Sequence, residues 1–189
     1  MEELALFARL TLALLFLTAA WSKLSHYEEH LAVLANYNLL PRALVKPFSL
    51  LEALAEIVVG LLLLLGLFAF WGELGAMLLL VMYTLAVGIN LLRGRSEINC
   101  GCGGAVGSHK LSWWLVLRNV GLLAVSSWLL QSPALIGSVQ GLVNGMSFAE
   151  TFGGATSVVL LLTVFELLLL YSANQIGALR TRISELLSE

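Results

Sequence analysis

The chain's only two cysteines, Cys100 and Cys102, stand one residue apart in the stretch RSEINCGCGGAVGSHK at 95–110. Consecutive Cα atoms are about 3.8 Å apart, so the Cα atoms of these two residues can be no more than roughly 7 Å apart. A disulfide needs about 4.4–6.8 Å. A bridge is therefore reachable if the chain turns, and Gly101 permits the positive φ that such a turn can require. The ring would be small and strained, hence more easily reduced than a structural disulfide. It closes almost no loop, so it adds little stability. The geometry predicts a bond that forms and breaks. Arg93, Arg95 and Lys110 flank the pair, and His109 lies seven residues beyond Cys102. Positive charge favours thiolate over thiol and speeds attack on another disulfide. Two other chemistries fit the same residues. Cysteines can be buried simply as small apolar groups, although four neighbouring glycines argue against a helix interior. Two thiolates with His109 could instead hold a soft metal such as Cu(I) or Hg(II), whereas zinc or an iron–sulfur cluster normally wants four protein ligands.

The surroundings of this loop are strongly apolar. Of 189 residues, 59% are hydrophobic and 12% charged, and mean hydropathy is +0.93. A soluble core of this length could not hide so much apolar side chain, so the expected solvent is lipid. The net charge of −2 supplies no basic field for nucleic acid. The opening MEELALFARL is acidic before it is basic, unlike a cleavable leader.

Five runs are near bilayer length: Leu4–Trp21, Leu50–Trp71, Leu74–Leu92, Leu111–Gln131 and Ala155–Tyr171. These predict an all-α fold: an integral membrane four-helix bundle with an added fifth transmembrane helix. Residues 23–47 form an amphipathic interfacial link, and residues 72–73 are expected to make a tight hairpin. Residues 132–154 are Gly/Ser-rich and are expected to be an interfacial or re-entrant segment. The tail after the fifth run repeats apolar residues at helical spacing. The expected organisation is a four-helix membrane domain over 1–131, then link, fifth helix and amphipathic tail over 132–189.

Arg9, Glu52, Glu56, Arg118 and Glu166 fall inside these runs, where ionisable groups are costly and should pair within the bundle. Glu52 and Glu56 are four apart on one helix face, and Arg118 is the expected partner of Glu56. That pair would be either an interhelical clasp or a proton or quinone-site group below the thiols. His26 and His30 are also four apart, which is metal-ligand spacing, but a solvated interfacial face explains them equally well.

The stretch NLLRGRSEINCGCGG, followed by LVLRN, resembles the methylamine-utilisation membrane protein family (MauE type) of the DoxX-like group. The resemblance rests on Asn90, Arg93, Gly94, Cys100, Gly101, Cys102, Arg118 and Asn119. FLTAAWSKL with Lys23, YNLLP with Pro41, and the Glu56–Gly60 spacing extend it over about residues 8–130. Gly103 departs from the family, which often has an aromatic there. The resemblance implies a role in maturing disulfide-rich exported proteins, beside a membrane-tethered thioredoxin-like partner. Together with the thiol pair this gives the leading expectation, a membrane thiol–disulfide oxidoreductase with Cys100 and Cys102 as the redox pair; with no second cysteine pair in the chain, a lipid-soluble two-electron quinone is the natural electron carrier. A soft-metal binding or transport protein, or a non-catalytic scaffold for a thioredoxin-like protein, is the alternative.

Two arguments about sidedness oppose each other. If all five runs cross, one side collects Lys23, Arg42, Lys46, Arg93, Arg95, Lys110, Arg180 and Arg182, eight of the ten Lys plus Arg. The positive-inside rule would make that side cytoplasmic. Disulfide chemistry belongs outside, and the resemblance agrees, so the cysteine loop is expected to be extracytoplasmic in a multi-pass cell-membrane protein.

Overall fold

In the computed structural model, residues 1–98, 110–132 and 135–186 are described, with side chains in the last helix given through Leu169 and at Ser172. Their order is α1 (Glu2–Ser25), α2 (Tyr27–Tyr37), α3 (Arg42–Leu65), α4 (Ala69–Leu92), α5 (Trp113–Gln131), α6 (Val139–Val143), α7 (Phe148–Thr151) and α8 (Gly154–Leu186). The helices α1, α3, α4 and α5 are each long and apolar enough to cross a membrane, and α8 carries a further apolar stretch over Gly154–Leu169. The expected all-α membrane bundle with an added fifth helix is what the chain forms.

Each long helix sorts its residues into an inner and an outer stripe. In α1 the buried set is Ala5, Leu6, Arg9, Leu10, Leu12, Ala13, Phe16, Ala20 and Lys23, recurring at the three- and four-residue spacing of one helix face. On α3, Leu51, Leu54, Val58, Leu61 and Leu65 are exposed, the face a helix turns toward lipid. With lipid as apolar as leucine, helices associate through close packing rather than through hydrophobic exclusion. Gly60 provides that closeness between α1 and α3: a Cβ there would sit 2.7 Å from Leu17 Cγ and 3.3 Å from the Ala13 carbonyl oxygen. The most extensive packing is α1 on α3 and α4 on α5, with α3 against α4 closing the bundle and α8 laid along α1. The central core includes Leu6, Leu10, Phe16, Leu63, Ala76 and Leu80.

The α3–α4 connection corrects the expected hairpin at 72–73. The turn lies at 66–68, because Gly66 adopts φ 61° at the end of α3 and closes it with N–H bonds from Gly66 to Leu63 O (3.3 Å) and from Leu67 to Leu62 O (3.1 Å). This two-bond closure needs a left-handed residue, which glycine supplies without strain. Glu73 therefore lies inside α4 and is buried, not in a solvated turn. At the same end, the link after α5 folds into α6 and α7. Arg9 Nη2 donates to Gly137 O at 2.7 Å, tying that link to the bundle. Thr11 Oγ1 donates to Glu166 Oε2 at 2.8 Å, which fixes α8 to α1.

Candidate functional site

At the other end of the bundle α1 finishes, α3 begins, α4 finishes and α5 begins. Here α2 packs on α3 and α1. This is also the end that carries the cysteine loop. Cys100, Gly101, Cys102 and His109 lie outside the described residues; the stems on either side of them are described. The Leu111 N–H donates to Ile98 O at 2.9 Å, and Lys110 pairs with Glu97 on the exposed surface. Leu111 packs with Tyr37, Val87 and Leu115, and Ile98 lies against that cluster. The loop thus springs from a fixed base. Arg93 caps α4 and is exposed.

Directly inward lies a buried ionisable cluster. Lys23, in the last turn of α1, is 5% exposed, and Glu56 on α3 is 1% exposed. The Lys23 ammonium donates to Glu52 Oε1 at 2.5 Å, to Glu56 Oε1 at 2.8 Å and to the Tyr83 hydroxyl oxygen at 3.0 Å. All three of its donors are therefore used. The Tyr83 hydroxyl, from α4, donates in turn to Glu56 Oε1 at 2.6 Å, and the Lys23 ammonium lies 4.7 Å from the centre of the Tyr83 ring. From α2, His30 Nε2 approaches Glu52 Oε2 at 3.4 Å. Four helices thus converge on one charged knot. Glu52 and Glu56 share a face because they are one turn apart, and that face is turned inward toward α1 and α4.

Tyr37 joins this cluster to the loop base. It packs with Leu111 and feels the charge of Glu52. Burial, reinforced by that charge, pushes its phenol well above the usual tyrosine range.

Several expected placements change. Glu56 is buried as expected, but its partners are Lys23 and Tyr83, not Arg118. Arg118 is half-buried on α5. Its Nη2 donates to Asn119 Oδ1 at 3.4 Å, and no carboxylate pairs with it among the described residues. Asn119 is buried, as is Asn90 near the end of α4, whose Nδ2 donates to Ala86 O at 2.9 Å. His26 is exposed while His30 is buried, so the two do not present one open ligand face. Among the described residues no group of three His, Cys, Asp or Glu side chains is placed to hold a metal. Lys23 and Tyr83 were missed as functional candidates. Lys23 reads as an interface anchor after an apolar run, and its signal lay in the two carboxylates inside the next span, which demand a buried cation. Nothing in the sequence around Tyr83 singles it out.

The fold and this site define a multi-pass, all-α membrane protein with a buried polar knot at the end of the bundle where the stems of the cysteine loop begin. The chain belongs to the family described as Methylamine utilisation protein MauE, which matches residues 1–132. Among relatives carrying that name, the Methylorubrum extorquens protein is 39% identical over 127 residues, 66% of this chain and 68% of its own. The Paracoccus denitrificans protein is 39% identical over 118 residues, 62% of this chain and 63% of its own. The Paracoccus versutus protein is 35% identical over 173 residues, 90% of this chain and 86% of its own. No solved structure matches the chain.

Proposed function

We propose that the protein serves methylamine utilisation as a membrane thiol–disulfide oxidoreductase, with Cys100 and Cys102 as its redox pair. A thiolate of a reduced, exported thioredoxin-like partner attacks the Cys100–Cys102 disulfide. The partner's second thiol then resolves the mixed disulfide. The partner loses two electrons and two protons as its own disulfide forms, and Cys100 and Cys102 gain them. Reoxidation passes two electrons and two protons to a lipid-soluble quinone, which leaves as the quinol. The observation that carries this reading is the Cys-Gly-Cys spacing in a MauE-family chain, set on stems that Ile98 and Leu111 hold together. Two peptide bonds separate Ile98 from Cys100, so the first thiol is tethered at this end of the bundle.

Arg93, Lys110 and His109 favour the thiolate, and Gly101 allows the turn. Glu56 and Asn119 are buried polar groups of the bundle that carries the loop, and Arg118 is half-buried beside Asn119. The unit of function is the four-helix domain 1–131, with 132–189 as an appended segment, a division supported by where the family match ends. The loop faces outside the cytoplasm, where disulfides persist. The positive-inside count gives the opposite side, although Lys23 drops out of it because its charge is matched by buried carboxylates.

The test is a thiol-trapping redox titration of the purified full chain in lipid nanodiscs, with and without a soluble quinone analogue. The pair should cycle between dithiol and disulfide, and quinone should drive it to the disulfide. A pair that stays reduced while retaining Cu(I) would replace this reading with soft-metal binding.

A further inference from the structure

We propose that Lys23, His30, Glu52, Glu56 and Tyr83 form an intramembrane proton-binding site, which holds one exchangeable proton and communicates with the membrane surface through His30. The argument is a count of charges and donors. With Lys23 charged, both carboxylates ionised and His30 neutral, the knot carries +1 − 2 = −1. A net charge at this burial is strongly disfavoured in hydrocarbon. The donors tell the same story. Three Lys23 N–H groups and the Tyr83 hydroxyl are all directed to Glu52 Oε1, Glu56 Oε1 and the Tyr83 oxygen. That leaves Glu56 Oε2 buried without a hydrogen-bond donor among the described residues, while Glu52 Oε2 has His30 Nε2 3.4 Å away but out of hydrogen-bonding alignment. An unsatisfied buried acceptor costs about 1–3 kcal/mol. One added proton removes the excess negative charge. On Glu56 Oε2 it neutralises the knot. On His30 it makes an imidazolium that faces Glu52 Oε2 across the observed 3.4 Å.

The groups facing this site come from every element packed on it: Lys23 from α1, His30 and Tyr37 from α2, Glu52 and Glu56 from α3, and Tyr83 from α4. At the opposite end Arg9 and Glu73 sum to zero charge when both are ionised, so net charge alone asks for no further proton there, although Glu73 Oε2 is likewise buried without a hydrogen-bond donor among the described residues. The path outward is equally specific. His30 sits on α2 one turn beyond His26, which is exposed, so the network Glu56–Lys23–Glu52–His30 ends one helical turn from a water-facing residue at the loop end. The proposal uses no property of the thiols and stands apart from the oxidoreductase reading.

The experiment is infrared difference spectroscopy of the full chain in nanodiscs, with carbon-13-labelled glutamate, across the pH range in which it stays folded, in light and heavy water. Nitrogen-15 histidine spectra follow the imidazole side. The expected result is one protonated group, either a carboxylic acid lost in Glu56→Gln or Glu52→Gln, or an imidazolium lost in His30→Gln. The signal should persist when both cysteines are replaced by serine. If it sits on a carboxyl, His30→Gln should slow its exchange with heavy water. Labelled wild-type protein alone decides the case if a carboxylate variant fails to fold. Two ionised carboxylates with a neutral His30 throughout would overturn the proposal. A signal that vanishes with the cysteines would overturn its independence from the thiols.

Discussion

Replacing Lys23 with methionine keeps most of the length of the side chain and removes its charge and three donors. In the native protein that ammonium binds Glu52 at 2.5 Å, Glu56 at 2.8 Å and Tyr83 at 3.0 Å. The Lys23→Met chain would keep two buried carboxylates one turn apart, with the Tyr83 hydroxyl on Glu56 and His30 beside Glu52 at 3.4 Å. Removing one partner of a buried ion pair typically costs about 3–5 kcal/mol because the other charge is stranded. Here two are stranded and repel each other, while uptake of protons from solvent limits the loss. We therefore expect a destabilisation of about 3–5 kcal/mol, largest at high pH, where protonation offers least relief. The assay is reversible denaturation in mild detergent, followed by helical circular dichroism, on Lys23→Met, Glu56→Gln and the double variant. The double variant should recover part of the loss, with a coupling of about 0.5–3 kcal/mol expected for groups in one network. A Lys23→Met protein within about 0.5 kcal/mol of its parent, the range of ordinary surface substitutions, would refute the reasoning.

Gly66→Ala should destabilise by about 1–2 kcal/mol from its left-handed φ alone. The loss should be larger because the new Cβ would meet Ser138 Cβ at 2.5 Å and Arg9 Nη1 at 2.8 Å; a melting series of this variant checks it. Glu150 closes a reciprocal cap with Ser147 at the start of α7, and the Ser147 backbone N–H followed by its hydroxyl holds the Glu150 carboxyl below its usual value. A depressed carboxylate contributes stability above its unfolded pKa and loses it as pH falls, so amide-exchange protection of Thr151 and Phe152 should drop on acidification and should lose this pH dependence in Glu150→Gln. A membrane-impermeant maleimide should label Cys100 or Cys102 in reduced intact cells; labelling only after the membrane is broken would place the loop in the cytoplasm.

Much of the architecture was readable because lipid imposes a simple rule: a run of apolar residues about as long as the bilayer is thick must be a helix. The four crossings and the apolar part of α8 follow from that rule. Rotation about each helix axis does not. Glu56 was expected to face Arg118 because Arg118 lies about two turns into the fourth run beyond the cysteine loop, where a guanidinium needs a carboxylate partner. The close approach of α1 to α3 at Gly60 instead brings Lys23 to Glu56, 33 residues away in sequence. The turn was misplaced because Glu73 is the one charged residue between Glu56 and Arg93, whereas the closure depends on the left-handed conformation of Gly66, a backbone property that hydropathy does not report. Glu73 could then be buried beside Arg9 and Ser126, a pairing across three helices that no single-chain pattern encodes.

The central claim is that Cys100 and Cys102 form a reversible disulfide. Mass spectrometry of the peptide containing residues 95–110, isolated after mild oxidant and again after reductant, tests it most directly. The account predicts a mass difference of two hydrogens confined to that peptide, absent when either cysteine is replaced by serine. A pair that remains as two free thiols under oxidant would contradict it.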